Sequence, residues 1–180
     1  MKNKAILILI IFFLFLFFAF GFLKNENQQK KEEVRKIKIF SPAFEDNGFI
    51  PQKYTCKGED INPPLKISNI SKEAKSLVLI VEDPDAPLKT FTHWVVFNLE
   101  PNIDEIKEGK PPDANFGLND FKTIEWKGPC PPSGTHRYYF RLFELNKKIL
   151  LNNGATKEEL QKEMEGGIIE ETYLIGKFSK

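Results

Sequence analysis

The chain has 180 residues, 26 basic and 25 acidic, with a formal charge of +1, which excludes a polybasic nucleic-acid binder and an acidic disordered chain. Twelve prolines and 11 glycines favour a loop-rich, turn-rich protein over a helical bundle. Two cysteines are too few for a four-cysteine zinc site or a disulfide-dense scaffold.

Residues 1–23 stand apart. Lys2 and Lys4 precede an apolar run from Ala5 to Leu23, interrupted only by Gly21. As a helix its 19 residues span roughly 28 Å, close to a bilayer's hydrocarbon core. The run reads as a membrane anchor or a long signal peptide, with Ala19-Phe20-Gly21 a poor cleavage site. No cysteine follows it, so a lipoprotein anchor is excluded. A short N-tail normally stays inside, so the domain is expected to be exported, either membrane-anchored or secreted after signal cleavage. Residues 24–36 are a polar tether of mixed charge. Seven basic and three acidic residues precede Ile37, which leaves 19 basic against 22 acidic in residues 37–180, a net charge of −3.

From there the pattern is mostly period two. Lys36 to Phe40 alternates as a first strand. Ser41 to Asp60 is rich in Pro, Gly, Asn and Asp and reads as irregular. Leu65 to Ile67 is a short strand. Ser76 to Val81 is continuously apolar, as in a strand covered on both faces. His93 to Leu99 is another strand. Residues 100–135 read mostly as loop, with short strands at Asn115–Phe116 and Thr123–Trp126. Arg137 to Leu145 is aromatic-rich and alternates, a strong strand signal. Thr156 and Glu159 form a capping box for one helix, which Gly166-Gly167 ends. A last strand runs from Glu171 to Lys177. Many strands with one late helix predict a mainly β sandwich of antiparallel sheets.

The two histidines, His93 and His136, each open a predicted strand. The segment Asp83-Pro-Asp-Ala-Pro87 leaves the end of the buried strand. Residues two apart in extended chain share a side, so Asp83 can face with Asp85, and His136 with Tyr138. Pro84 and Pro87 restrict the backbone around the acids. Taken together, two acids, two imidazoles and a phenol could line one cavity, although an Asp-Pro-Asp segment is by itself often only a turn.

DPDAP, then THW, then GPCPPSGTHRYYFRLFEL resembles the phosphatidylethanolamine-binding protein family, also called Raf kinase inhibitor protein-like. PQKYTCKGEDINPPL at residues 51–65 and the ending GATKEELQKEMEGGIIEETYLIGKF resemble its bacterial and archaeal branch. The likeness runs from about residue 37 to residue 178, so that 37–180 forms one domain. It implies a sandwich of two antiparallel sheets with Greek-key topology and a small pocket for phosphate-like anions. By motif match the pocket residues are Asp83, Asp85, His93, Gly128, Pro131, Pro132, His136 and Tyr138. Implied partners are a phosphate-bearing small molecule or phospholipid head group, a kinase or protease to be regulated, and a second copy of the chain, but no nucleic acid. Cys56 and Cys130 flank the site in two family motifs. An exported protein could bridge them, with two buried thiols as the alternative.

The family has no common catalytic activity, so no catalytic residue, cofactor or metal is expected. Two other readings stand beside the binding module. A phospholipid-handling hydrolase could use Asp and His as acid and base, but no HExxH spacing and no GxSxG elbow is present. A serine protease inhibitor would present a loop.

Overall fold

The computed structural model describes residues 36–180, and the expected N-terminal helix and the tether up to Arg35 lie outside them. Among the described residues no helix is long and apolar enough to cross a membrane.

Three strands, β1 (Lys38–Phe40), β3 (Leu65–Ser68) and β6 (Glu105–Ile106), form a small antiparallel sheet in the order β1-β3-β6. The large sheet holds β2 (Gly48–Phe49), β9 (Ile168–Ser179), β8 (Thr135–Leu145), β4 (Ser76–Asp83), β5 (Phe91–Leu99) and β7 (Asn115–Phe116), in that spatial order. Within it β8-β4-β5-β7 places the fourth strand of the run beside the first, a Greek-key order, while β6 departs to the other sheet. Every pair in the large sheet is antiparallel except β2–β9, a parallel edge contact of two residues. The expectation of purely antiparallel sheets is corrected there.

One helix, α1 (Lys157–Met164), comes late in the chain. The Thr156 hydroxyl accepts from the Glu159 N–H, and the Glu159 carboxylate accepts from the Thr156 N–H. That capping box satisfies two orphan donors of the first turn. Leu160 and Met164 are one turn apart and both buried, so the helix lays one face on the sheet.

The apolar run of β4 is explained by the two cores it separates. Leu77, Leu79 and Val81 face the small sheet, packing with Ile39, Leu65, Ile67, Ile106, Phe140 and Leu142. Val78 and Ile80 face the other way, under Leu160 and Met164 of α1. Each fully buried aliphatic chain of this kind contributes roughly 1.5–3 kcal/mol. Lys157, at the start of α1, is fastened to the sheet by the buried Glu82 carboxylate, Nζ to Oε1 2.7 Å.

The remaining expectations differ in detail. Thr123–Trp126 is not a strand. Its backbone wraps the buried Asn119 side chain, which donates to the carbonyls of His93 and Glu125 and accepts from the Thr123 N–H. β6 lies in the stretch expected as loop, and β2 and a 3-10 turn at Gln52–Tyr54 lie in the irregular segment.

Candidate functional site

Antiparallel pairing brings the end of β4 beside the beginnings of β5 and β8. Glu82 pairs with Tyr139 on one side and Thr92 on the other. Asp83, His93, His136 and Tyr138 therefore collect at one end of the large sheet.

The orientation of His93 comes from a β-bulge. Val81 pairs with Trp94 and Glu82 with Thr92, so His93 is the extra residue on β5. A bulge re-aims a side chain that plain alternation would send to the opposite face from Trp94. His93 and Trp94 are both buried, at 3 % and 1 % exposure. On β8 no such device is needed, since His136, Tyr138 and Phe140 follow the buried phase of a regular strand.

Asp83 is the hub. Its Oδ2 accepts from His136 Nδ1 at 2.7 Å, in a buried pair. Its Oδ1 accepts from the Asp85 N–H at 2.9 Å, which closes the turn after β4. The Tyr138 hydroxyl is buried and has no hydrogen-bond partner among the described residues. Burial, and after it the charge of Asp83, push the phenol's pKa up, so the group stays an O–H donor.

His93 Nδ1 lies 2.6 Å from the Lys127 carbonyl oxygen. A carbonyl only accepts, so Nδ1 carries the hydrogen and Nε2 is left over. Burial lowers the pKa of this ring, opposed by the Lys127 carbonyl and the Asp83 charge. The imidazole meets three aromatic rings edge-on: Tyr138 at 5.3 Å, Phe91 at 5.4 Å and Phe121 at 5.6 Å between centroids. Phe121 is also partly open to solvent, giving this end of the sheet an apolar rim.

The Gly-Pro loop backs the cluster. The Gly128 N–H donates to Asp60 Oδ1 at 2.7 Å. A Cβ at Gly128 would run into the Tyr54 carbonyl oxygen, so the close approach of the two segments requires glycine here. Pro131 is buried and Pro132 exposed. Cys56 and Cys130 are joined by a disulfide that closes this loop onto the segment after Tyr54. Among the described residues, no three His, Cys, Asp or Glu side chains are placed to hold a metal ion.

Asp85 does not share the side of Asp83. It turns outward to Arg137, Oδ1 accepting from Nη2 at 2.7 Å and Oδ2 from Nε at 2.9 Å. The turn that Asp83 caps reverses the alternation expected of extended chain. Arg137 was not singled out from the sequence, although it sits inside the GTHRY motif. The Arg137 guanidinium holds the Asp85 carboxyl down at about 2. A group with a depressed folded pKa adds stability above its unfolded value and loses it as the pH falls through the folded one. Melting temperatures followed from near pH 3.8 to about pH 2 are expected to fall less steeply in Asp85→Asn than in the native chain. Parallel curves would contradict the ion pair.

The geometry can be set against known proteins. The family model described as phosphatidylethanolamine-binding protein matches residues 40–179. The chain belongs to the phosphatidylethanolamine-binding protein family. A UPF0098 protein of Pyrococcus abyssi is 48 % identical over 159 residues, covering 83 % of this chain and 87 % of the relative. A UPF0098 protein of Methanothermobacter thermautotrophicus is 48 % identical over 144 residues, covering 77 % and 95 %. Among solved structures, a phosphatidylethanolamine-binding protein homolog from Chlamydia trachomatis superposes with a TM-score of 0.79 at 42 % identity, covering 81 % of this chain and 99 % of that one. Escherichia coli YbcL shares the fold, with a TM-score of 0.74 at 22 % identity over 81 % of this chain and 99 % of its own. Asp83, His93, His136 and Tyr138 all lie within the residues that match the phosphatidylethanolamine-binding protein family model.

Proposed function

We propose that the domain is a ligand-binding module that takes a small phosphate-bearing oxyanion at the cluster around Asp83. One observation carries the reading: the buried Asp83 carboxylate occupies Nδ1 of His136. That bond commits Nδ1–H to Asp83 and fixes the ring, so that a proton arriving with the anion sits on Nε2 and is shared between the two. The unpartnered Tyr138 hydroxyl is a second donor. His93, with Nδ1–H committed to Lys127, keeps only a lone pair on Nε2 and accepts from the ligand. Phosphoethanolamine and hydrogen phosphate both suit this set, since each presents an anionic oxygen and a donor.

Binding is local and weak. The domain's net charge of −3 gives no long-range attraction for an anion. Among the described residues no Ser, Thr or Cys hydroxyl or thiol bonds to either imidazole, and both cysteines are in the disulfide. That supports binding over nucleophilic catalysis. Calorimetric titration with phosphate and with phosphoethanolamine is expected to show His136→Ala weaker than the native chain by at least about tenfold, the scale of one charge-assisted hydrogen bond. Equal heats from the two proteins would sink the assignment.

The same reading puts the module at or beyond a membrane, supported by the charge-free run from Ala5 to Leu23 behind Lys2 and Lys4. N-terminal sequencing of the chain recovered from cells tests this. An intact start in the membrane fraction marks an anchor, and a new start near Gly21 marks a cleaved signal. An intact start in the soluble fraction overturns both.

A further inference from the structure

Asn69-Ile70-Ser71 has the spacing of an N-glycosylation acceptor, and no other asparagine of the chain has Ser or Thr two residues on. Two fixed positions arise easily by chance, so the place in the fold decides. The triplet opens the loop between β3, which ends at Ser68, and β4, which begins at Ser76. Asn69 has a φ of 62°, a left-handed turn conformation that asparagine adopts with little strain. The turn separates two neighbours: Ile70 packs against the core, whereas Asn69 is exposed.

The Asn69 amide is also chemically available. Its Nδ2 donates to the Lys36 carbonyl oxygen at 3.2 Å, in an exposed bond, and an amide nitrogen carries two hydrogens. One is spent on Lys36, and the other has no partner among the described residues. The loop is held from beneath. The Ser71 N–H donates to the buried Glu144 carboxylate at 2.8 Å, and the Ser71 hydroxyl accepts from the Glu73 N–H at 3.1 Å. Glu144 pairs with Leu77 at the beginning of β4, whereas Asp83 ends that strand, roughly 20 Å away at about 3.3 Å per residue. A bulky group on Asn69 therefore meets solvent and stands clear of the Asp83 cluster.

We propose that Asn69 is an N-glycosylation site, modified by an oligosaccharide carried on a lipid phosphate. Nδ2 bonds to the anomeric carbon of the first sugar while the bond from that carbon to the phosphate oxygen breaks. The phosphate leaves with the bonding pair, and one Nδ2 hydrogen leaves as a proton. The remaining N–H keeps its bond to Lys36, so the turn survives modification. A solubilising group there covers Lys36, the first described residue of the domain. Acceptors of this kind lie on surface loops of exported proteins, so the site rests on the export reading drawn from the run Ala5 to Leu23.

The test takes the full chain from its native cells and digests it with trypsin. The peptide of residues 67–72 is expected to be heavier than its bare mass by whole sugar residues, and electron-transfer fragmentation is expected to place them on Asn69. Among variants made in the same cells, Ser71→Ala is expected to lose the added mass completely and Ser71→Thr to keep it. Glycosylation of the triplet has that dependence, and other chemistry at the amide lacks it. Asn69→Asp, which tolerates the left-handed turn, is expected to give an unmodified peptide and a melting temperature near the native one. Protease added outside the cytoplasmic membrane reports the compartment separately. A bare Asn69 on a chain that the protease reaches overturns the site and leaves export standing. A bare Asn69 on a chain that it does not reach overturns both. Added mass that survives Ser71→Ala also overturns the site.

Discussion

Asp83→Asn is expected to weaken phosphate binding by at least about tenfold and to destabilise the domain by about 2 kcal/mol. Asp83 is 4 % exposed and its carboxylate holds two donors, His136 Nδ1–H on one oxygen and the Asp85 N–H on the other. Asparagine keeps the shape but has one acceptor oxygen in place of two. Its amide adds a donor where the His136 Nδ1–H and the Asp85 N–H already compete for a single acceptor. One buried donor then goes unpaired, and the stability cost follows. The binding cost has a separate origin. Without the carboxylate, the nitrogen of His136 that carries the hydrogen is no longer specified, and neither is the one left to meet the anion. Calorimetry with phosphate measures the first effect, chemical denaturation the second, and nitrogen NMR of the imidazole the change in tautomer. An unchanged phosphate affinity alongside a changed His136 tautomer would show that the anion does not use this ring.

Removing the disulfide, by reduction or in the Cys56→Ser/Cys130→Ser variant, is expected to lower the melting temperature by on the order of 15 °C. The two cysteines are 74 residues apart in sequence. In the chain-entropy account, a crosslink over such a loop restricts the unfolded chain by about 4 kcal/mol. Phosphate affinity well below the transition should change by less than about threefold, within the effect of a single weak hydrogen bond. The reason is local redundancy. The Cys56 N–H still donates to the Pro129 carbonyl at 3.2 Å, and the Gly128 N–H to Asp60 at 2.7 Å. Those bonds hold the segment whose Lys127 carbonyl fixes His93. A large loss of binding with little loss of stability would reverse this division, making the bridge a support of the site instead of the fold.

Several elements were legible from local pattern. The capping box at Thr156 and Glu159 depends on residues three apart, and the helix begins there. The unbroken apolar run from Ser76 implied burial on both faces, and two separate cores meet it. Asn115–Phe116 was bounded correctly as a strand. Thr123–Trp126 misled, because its alternation is that of a strand but a single buried amide, Asn119, takes up the backbone groups that a ladder would need. β6, like Asn115–Phe116 a strand of two residues, was not among the expected strands.

The grouping of Asp83, His93, His136 and Tyr138 could be suspected from motif likeness, since each motif lies at the mouth of a strand. Its geometry could not. Which face His93 takes depends on a bulge, and a bulge is a mismatch between two strands that neither strand encodes alone. The side of Asp85 was misjudged for a related reason. Alternation assumes extended chain, and the hydrogen bond from the Asp85 N–H to Asp83 bends it. Gly128 and Asp60 are bonded across 68 residues, and the donor is a backbone N–H, which has no residue-type signature.

Local sequence by itself therefore determined where the longer strands and the helix form, because period and capping act over a few residues. It also supplied the chemical groups the site has to work with. Tertiary structure alone decided which of those groups share a face and what each donor is bonded to. Strand register, a bulge and long-range backbone contacts set those relations, and they exist only once separate segments are packed together.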